Sequence, residues 1–245
     1  MGTFFHAALT QPLLNLLVFL HNLIPVNDIG WAIIALTVIV RLLLYPSFRK
    51  QIKFQREMQK MQPKLNEIKE KHKDDRDAQA KATMQFYKEN KINPLSSCFP
   101  MVIQLIILIP LYRVFLSSLN GADIAGDLYG FISAPGAINT VFLGIIDLSK
   151  RSFVLAILAG AFQLIQSRMM MGKGTQSGDK TTAMLNKQMV YMFPVLTVFI
   201  SLSLPAGLAL YWVVSTLFSI AQQYYIMRGT DSIPPAEPKL SGNGG

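Results

Sequence analysis

Five long apolar stretches, at roughly residues 30–47, 95–117, 152–171, 189–204 and 207–227, constrain this chain more than any other feature. A helix needs about 20 residues to cross ~30 Å of hydrocarbon. Hydrophobic residues make up 51% of the 245 and charged residues only 15%, and the charges are clustered so that the five stretches are nearly free of them. Mean hydropathy is +0.34. This is the profile of an all-α polytopic membrane protein with five transmembrane helices. The fourth stretch is short, and 204-LPAG-207 after it carries Pro205 and Gly207, which break helices. The fourth and fifth stretches therefore read as a tight helical hairpin, with one continuous helix as the weaker alternative.

Orientation follows from Lys and Arg, which concentrate on the cytoplasmic side of membrane proteins. Nineteen of the 23 fall in residues 48–93, in the connection between the third and fourth stretches, or at the C-terminal end. Lys150, Arg151 and Arg113 mark the opposite side. The expected topology has the N-terminus extracytoplasmic and the C-terminus cytoplasmic. The net charge of +9 is a matter of sidedness, with no specific nucleic acid implied.

Residues 1–29 carry no Lys or Arg ahead of their apolar run, so a secretory signal is poorly supported. Phe5, Leu9, Leu13, Leu16, Leu20 and Leu23 share one helical face, with Gln11, Asn15 and Asn22 opposite. That predicts an interfacial amphipathic helix on the outer leaflet. Leu14 and Val18 spoil its polar face, and the alternative is a weakly hydrophobic span.

Residues 48–93 predict a cytoplasmic helical hairpin. Phe54, Met58, Met61, Leu65 and Ile68 form a heptad seam, with a kink expected at Pro63. Asp75 or Asp77 in 73-KDDRD-77 can cap a second helix bearing Met84, Phe86 and Tyr87. Such a pair is either a solvated structural hairpin or a basic, Met-bearing surface for anionic lipid or a partner. The extracytoplasmic segment 118–151 contains 138-INTVFLGIIDLS-149, too short to cross and expected to rest on the outer surface. The tail 229–245 is rich in Pro and Gly and is expected to be disordered.

Within 31-WAIIALTVIVRLLLYP-46 stands Arg41. A guanidinium in hydrocarbon costs at least ~2.5–3.5 kcal/mol on insertion scales. No stretch contains Asp or Glu to pair with it, and His6, His21 and His72 all lie outside the five. These absences argue against an intramembrane protease and a proton-coupled carrier. One cysteine, Cys98, and no His/Cys/carboxylate cluster leave no metal or cofactor expected, and no catalytic residue is assigned. Arg41 either snorkels over roughly 12 Å toward the headgroups or awaits an external anion. Thr37, Arg41 and Tyr45 form one stripe. Gln104, Gln163, Gln166, Tyr211, Trp212, Ser215 and Thr216 place polar atoms in three other stretches. Singly each reads as interhelical glue. Together they can line a hydrated cavity that attracts an acidic polypeptide segment.

Four segments carry a family resemblance: 37-TVIVRLLLYP-46, 62-QPKLNEIKEK-71, 93-NPLSSCFPMVIQ-104 with Tyr112, and 204-LPAGLALYWVVSTLFSIAQQ-223. In order and spacing the chain resembles the YidC/Oxa/Alb membrane protein insertases over nearly all of residues 10–228. It looks like the minimal five-span core (30–228), without the large extracytoplasmic domain of many Gram-negative members. The resemblance implies insertion of client membrane proteins with short or acidic extracytoplasmic segments, assistance to folding, and no covalent chemistry or nucleotide hydrolysis. Its implied partners are the Sec translocon, ribosome nascent chains and the phospholipid bilayer. Arg41 maps to the cation of a hydrophilic groove, joined by Thr37, Tyr45, Gln104, Tyr211, Trp212 and Ser215. At the span-three position Gln166 is preferred to Gln163. Leu105, Ile106, Leu108, Leu196 and Phe199 map to an apolar slide for the client, and the hairpin to a client-receiving loop. Two departures stand out. Ile106 replaces a proline common in the family, with Pro110 further on, and the tail lacks a lysine-rich ribosome-binding run. The runner-up reading is a small-anion channel or carrier using Arg41 for selectivity. A purely structural scaffold is a third.

Overall fold

The computed structural model describes residues 2–90, 99–119, 124–136, 138–170 and 180–230. The tail from 231, the connection 171–179, and the 93–98 part of the motif containing Cys98 lie outside the described residues. The helices are α1 (Gly2–Phe5), α2 (Gln11–Leu23), α3 (Ile29–Leu43), α4 (Tyr45–Lys71), α5 (Arg76–Glu89), α6 (Phe99–Leu119), α7 (Phe153–Met170), α8 (Lys180–Ser203) and α9 (Ala206–Thr230). A π-helical turn, His6–Thr10, joins α1 to α2.

The first apolar stretch ends sooner than its composition suggests. It forms α3, which stops at Leu43, and α4 leaves at 66° to it. Pro46 explains the break, since it has no N–H to continue the ladder and its ring crowds the carbonyl four residues back. α4 then runs through Pro63 without interruption. The fourth stretch is the end of a longer helix, α8, and the turn at Leu204 and Pro205 separates it from α9, so the one-helix alternative is excluded. By length and composition α7 is apolar enough alone to cross a membrane, with mean hydropathy 1.5, whereas α3 and α4 qualify only as a bent pair. Gln104–Leu116 and Val190–Ser203 are shorter apolar helical segments.

α9 lies at the centre, packed against α3 and α7, while α8 packs chiefly on α7. Small residues allow that last approach. Gly160 is buried on α7, and a Cβ there would strike the Val198 side chain and crowd the Pro194 carbonyl. A second cluster joins α2, α3, α6 and α9 through Leu17, Ile33, Leu36, Leu111, Phe115 and Leu208, all nearly inaccessible.

One end of this bundle carries a cap built from residues 124–136 and 138–150. The cap contains the one departure from an all-α fold among the described residues, a two-stranded antiparallel hairpin of β1 (Val141–Phe142) and β2 (Ile146–Asp147). Its turn places Leu143 at φ 54° and Gly144 at φ 70°, the paired positive values of a type I′ turn, which the short apolar pattern of 138–149 did not signal. The cap satisfies the free N–H groups at helix starts. Ile29 N–H donates to the Asn139 carbonyl (3.1 Å), Ala206 N–H to Lys150 (2.7 Å) and Gly207 N–H to Leu148 (3.0 Å). Asp28 caps α3 by accepting from Gly30 N–H at 2.8 Å, and its other oxygen accepts from Leu143 N–H at 3.0 Å. A Cβ on Gly30 would enter the Phe142 ring.

The N-terminal helix differs from its expected amphipathic pattern. Its buried face is Leu14, Leu17, Val18 and Leu20 with Asn15 among them, while Phe4, Phe19 and Leu23 are exposed. Leu14 and Val18, which spoil the expected polar face, are the contact with the bundle. The polar residues hold the cap. Asn15 donates to the Asp127 carbonyl (2.9 Å) and accepts from Tyr129 N–H (2.7 Å), and Asn22 donates to the Ser133 carbonyl (2.9 Å).

At the other end, α4 and α5 pack together across a four-residue turn. Asp75 is the cap that forms, accepting from Asp77 and Ala78 N–H at 3.0 and 2.9 Å. In the seam Leu65 is fully buried and the other four positions half-buried. Burial pushes the Tyr87 phenol above its ordinary pKa. α4 is tied to the helix ends above it, with Arg56 Nη1 donating to the Met227 carbonyl (2.9 Å) and Gln59 to that of Met170.

Candidate functional site

Arg41 sits in the last turn of α3, just before the bend, and is 6% exposed. Its side chain turns inward rather than toward the surface, so snorkelling is not the conformation adopted. Nε donates to Ser215 Oγ at 2.9 Å, and Nη2 donates to the same oxygen. The ring of Phe48, one turn into α4, lies 4.5 Å from the guanidinium carbon. Among the described residues no carboxylate forms an ion pair with Arg41. Its charge is met by a hydroxyl and a π face, both neutral, which stabilise a desolvated cation less than an anion does.

Ser215, 1% exposed, belongs to a polar stripe on α9 in which Tyr211, Ser219, Gln222 and Gln223 are also buried. The Tyr211 hydroxyl meets Ser215 one turn along and accepts from Gln104 Nε2 of α6 at 3.3 Å. Gln104, Tyr211, Ser215 and Arg41 thus form one connected run across α6, α9 and α3. Gln222 continues it toward the bend by donating to the Tyr45 carbonyl at 3.3 Å.

The other expected site residues divide. Thr37 is buried on the Arg41 side of α3, but its hydroxyl is spent on the Ile33 carbonyl of its own helix at 2.6 Å. The Tyr45 side chain is half-buried and, with Pro46, Arg49, Lys50 and Lys53, lines a surface cavity of about 340 Å³. Gln163 and Gln166 are half-buried on α7, and among the described residues no hydrogen bond joins either to the Arg41 run. Trp212 is half-buried beside the stripe. Leu105, Ile106, Leu196 and Phe199 are exposed, Phe199 to 65%, whereas Leu108 packs against the core.

Phe48, Gln222 and Gln223 escaped the sequence reading, as did Thr197 and Ser201, buried polar residues of α8. The α9 residues had a signal, since 211, 215, 219 and 222 recur at helical spacing. Phe48 had none, because its contact depends on the bend.

A helical protein whose apolar helices enclose an arginine with no carboxylate partner among the described residues is the class that fold and site define. Residues 19–233 match the 60Kd inner membrane protein family, and the chain belongs to it, the YidC/Oxa family. Among relatives, the membrane protein insertase YidC of Geobacter sulfurreducens is 35% identical over 235 residues, covering 95% of this chain and 39% of that protein. The YidC of Syntrophus aciditrophicus is 37% identical over 220 residues, 89% of this chain and 36% of that protein. That of Fusobacterium nucleatum is 34% identical over 203 residues, 83% of this chain and 88% of that protein. The chain therefore spans less than two fifths of the length of the first two and most of the third.

Proposed function

We propose that this protein is a membrane protein insertase that draws the polar segment of a client polypeptide to Arg41 from the cytoplasm and releases the client into the lipid bilayer. The observation that carries the reading is the burial of Arg41 against Ser215 with no carboxylate partner among the described residues. The relatives' shared name as insertases supports it. In this reading α3, α6, α7, α8 and α9 are five spans, the cap is extracytoplasmic, and the α4–α5 pair is a cytoplasmic receiver. α2 rests at the outer interface. The Arg41 run forms the polar wall of a groove, with Gln166 or Gln163, Tyr45 and Trp212 on its margin. Exposed Leu105, Ile106, Leu196 and Phe199 offer the client's apolar segment a path in contact with lipid.

The work is physical rather than covalent. A polar segment crossing hydrocarbon loses its hydration, and a fixed cation with hydrogen-bonding neighbours replaces part of what is lost. The cap weighs against the small-anion channel in this reading, because its hydrogen bonds tie down the starts of α3 and α9 at the end through which an ion would leave. Action beside the Sec translocon, reception of ribosome nascent chains and assistance to folding belong to the same proposal.

Reconstitution in liposomes tests it, comparing wild type, Arg41→Lys and Arg41→Ala on a client with an acidic N-terminal tail. Lys retains much of the insertion and Ala loses it. Equal insertion by all three removes Arg41 from the mechanism, and anion leakage abolished by Arg41→Ala would favour the channel.

A further inference from the structure

The same bend that ends α3 brings Phe48 back over the arginine. Seven residues beyond Arg41, Phe48 lies one turn into a helix that leaves at 66°, and its ring closes on the guanidinium at 4.5 Å. Ser215 holds the edge of the guanidinium through Nε and Nη2, so edge and face are both occupied and little of Arg41 stays accessible. A client anion must therefore displace a contact before it reaches the charge. Ser215 belongs to α9 at the centre of the bundle, whereas Phe48 belongs to α4, which continues without a break to Lys71 and turns into α5. The removable contact is the one on the helix pair.

We propose that Phe48 is a lid on Arg41, a positioning residue that holds the cation covered until the α4–α5 pair moves, and that a client's anionic segment competes with the Phe48 ring. This rests on the reading of Arg41 as the client-attracting cation. Closure is held by the ties between α4 and the bundle ends, from Gln222 to the Tyr45 carbonyl, from Arg56 to that of Met227 and from Gln59 to that of Met170. Because α4 is one helix, a client that displaces it at the receiver end lifts Phe48 with it. Capture and exposure of the charge are then one motion. A client lacking an anionic segment gains nothing from the uncovered arginine, so the lid adds selectivity as well as timing.

Two measurements test the lid on the full chain in proteoliposomes. The first is modification of Arg41 by phenylglyoxal, mapped by mass spectrometry with exposed Arg76 as internal standard, and it requires no client. Phe48→Ala raises Arg41 reactivity about three- to tenfold, the range of a cation–π contact at a partly desolvated site. Phe48→Trp, which keeps a π face, stays near wild type. The second is the client concentration for half-maximal insertion, which falls by a similar factor in Phe48→Ala for an acidic-tailed client and is unchanged for a neutral-tailed one. If Phe48→Ala does not fold, Phe48→Leu keeps the apolar volume without the ring and must give the same order. Unchanged Arg41 reactivity, or an equal rise in Phe48→Trp, overturns the lid whatever the clients do. Raised reactivity with equal effects on both clients overturns the competition. Should wild type insert neither client, the insertase reading fails while the reactivity arm still decides the lid.

Discussion

The two ends of the α3–α9 pair are built on opposite principles. At the cap end, Ile29, Ala32, Ile33 and Leu36 of α3 pack with Ala206, Leu208, Ala209 and Leu210 of α9 in a buried apolar cluster. The backbone N–H groups of Ile29, Ala206 and Gly207 there are matched by cap carbonyls. About one and a half turns beyond Leu36 and Leu210, Arg41 meets Ser215, and Ser219, Gln222 and Gln223 follow. Here the pairing is incomplete. Arg41 has more N–H donors than one hydroxyl can accept from, and Gln222 Oε1 is buried without a partner. The cap end also leaves Thr10 Oγ1 and His21 Nδ1 buried without a partner, but among the described residues it encloses no cation like Arg41. The other keeps its unspent hydrogen-bonding capacity beside a buried charge.

The difference can be broken from either side. Ser215→Asp supplies the polar end with its missing anion and has the largest expected effect. An ion pair with Arg41 lowers insertion of an acidic-tailed client by more than about tenfold while leaving the thermal transition in detergent at or above that of wild type. Insertion near the wild-type rate in a folded Ser215→Asp protein would show that a free charge is not needed. Gly30→Val attacks the cap end, because its side chain has to occupy the space of the Phe142 ring. The expected loss is about 1–3 kcal/mol of stability, read by denaturant titration in detergent. Asn15→Leu removes the bonds to Tyr129 and Asp127 and leaves their backbone groups without partners. That costs about 1–2 kcal/mol and should appear as faster amide exchange across 124–136.

The smallest effect is on pH dependence. Burial lowers the His21 pKa below its ordinary 6.5, against a weaker opposing pull from Asp28. The folded cap end therefore holds the neutral imidazole, while the unfolded chain takes up a proton near pH 6.5. Stability from this group is complete above 6.5 and declines as pH falls through the lowered folded value. The protection of α2 amides, corrected for the intrinsic pH dependence of exchange, should fall from pH 7.5 to about 5.5 in wild type and change less in His21→Gln.

Much of the site was legible because apolar surroundings make polar residues conspicuous. Arg41, Gln104, Tyr211 and Ser215 stand out in long hydrophobic runs, and they are the residues the fold connects. Asp75 was legible for a local reason, since a cap needs only its own next turn. Gln163 and Gln166 stood out equally but are not joined to the run, because position in a stretch does not fix which neighbour a side chain meets. Asn15 misled in the other direction. Its place on a polar face suggested water, and the cap takes that place instead.

The sequence by itself determined the helical class, the family, and the presence of a cation for which no stretch offers an acid. These depend on composition and on spacing along one chain. Only the tertiary structure decided that Arg41 is covered, that Phe48 covers it, and that the opposite end is capped by a β-hairpin and by Asp28. Each of these joins residues through the bend at Leu44 or across more than a hundred positions. Helical periodicity describes which residues share a face, but the partner of that face is fixed only when the helices pack.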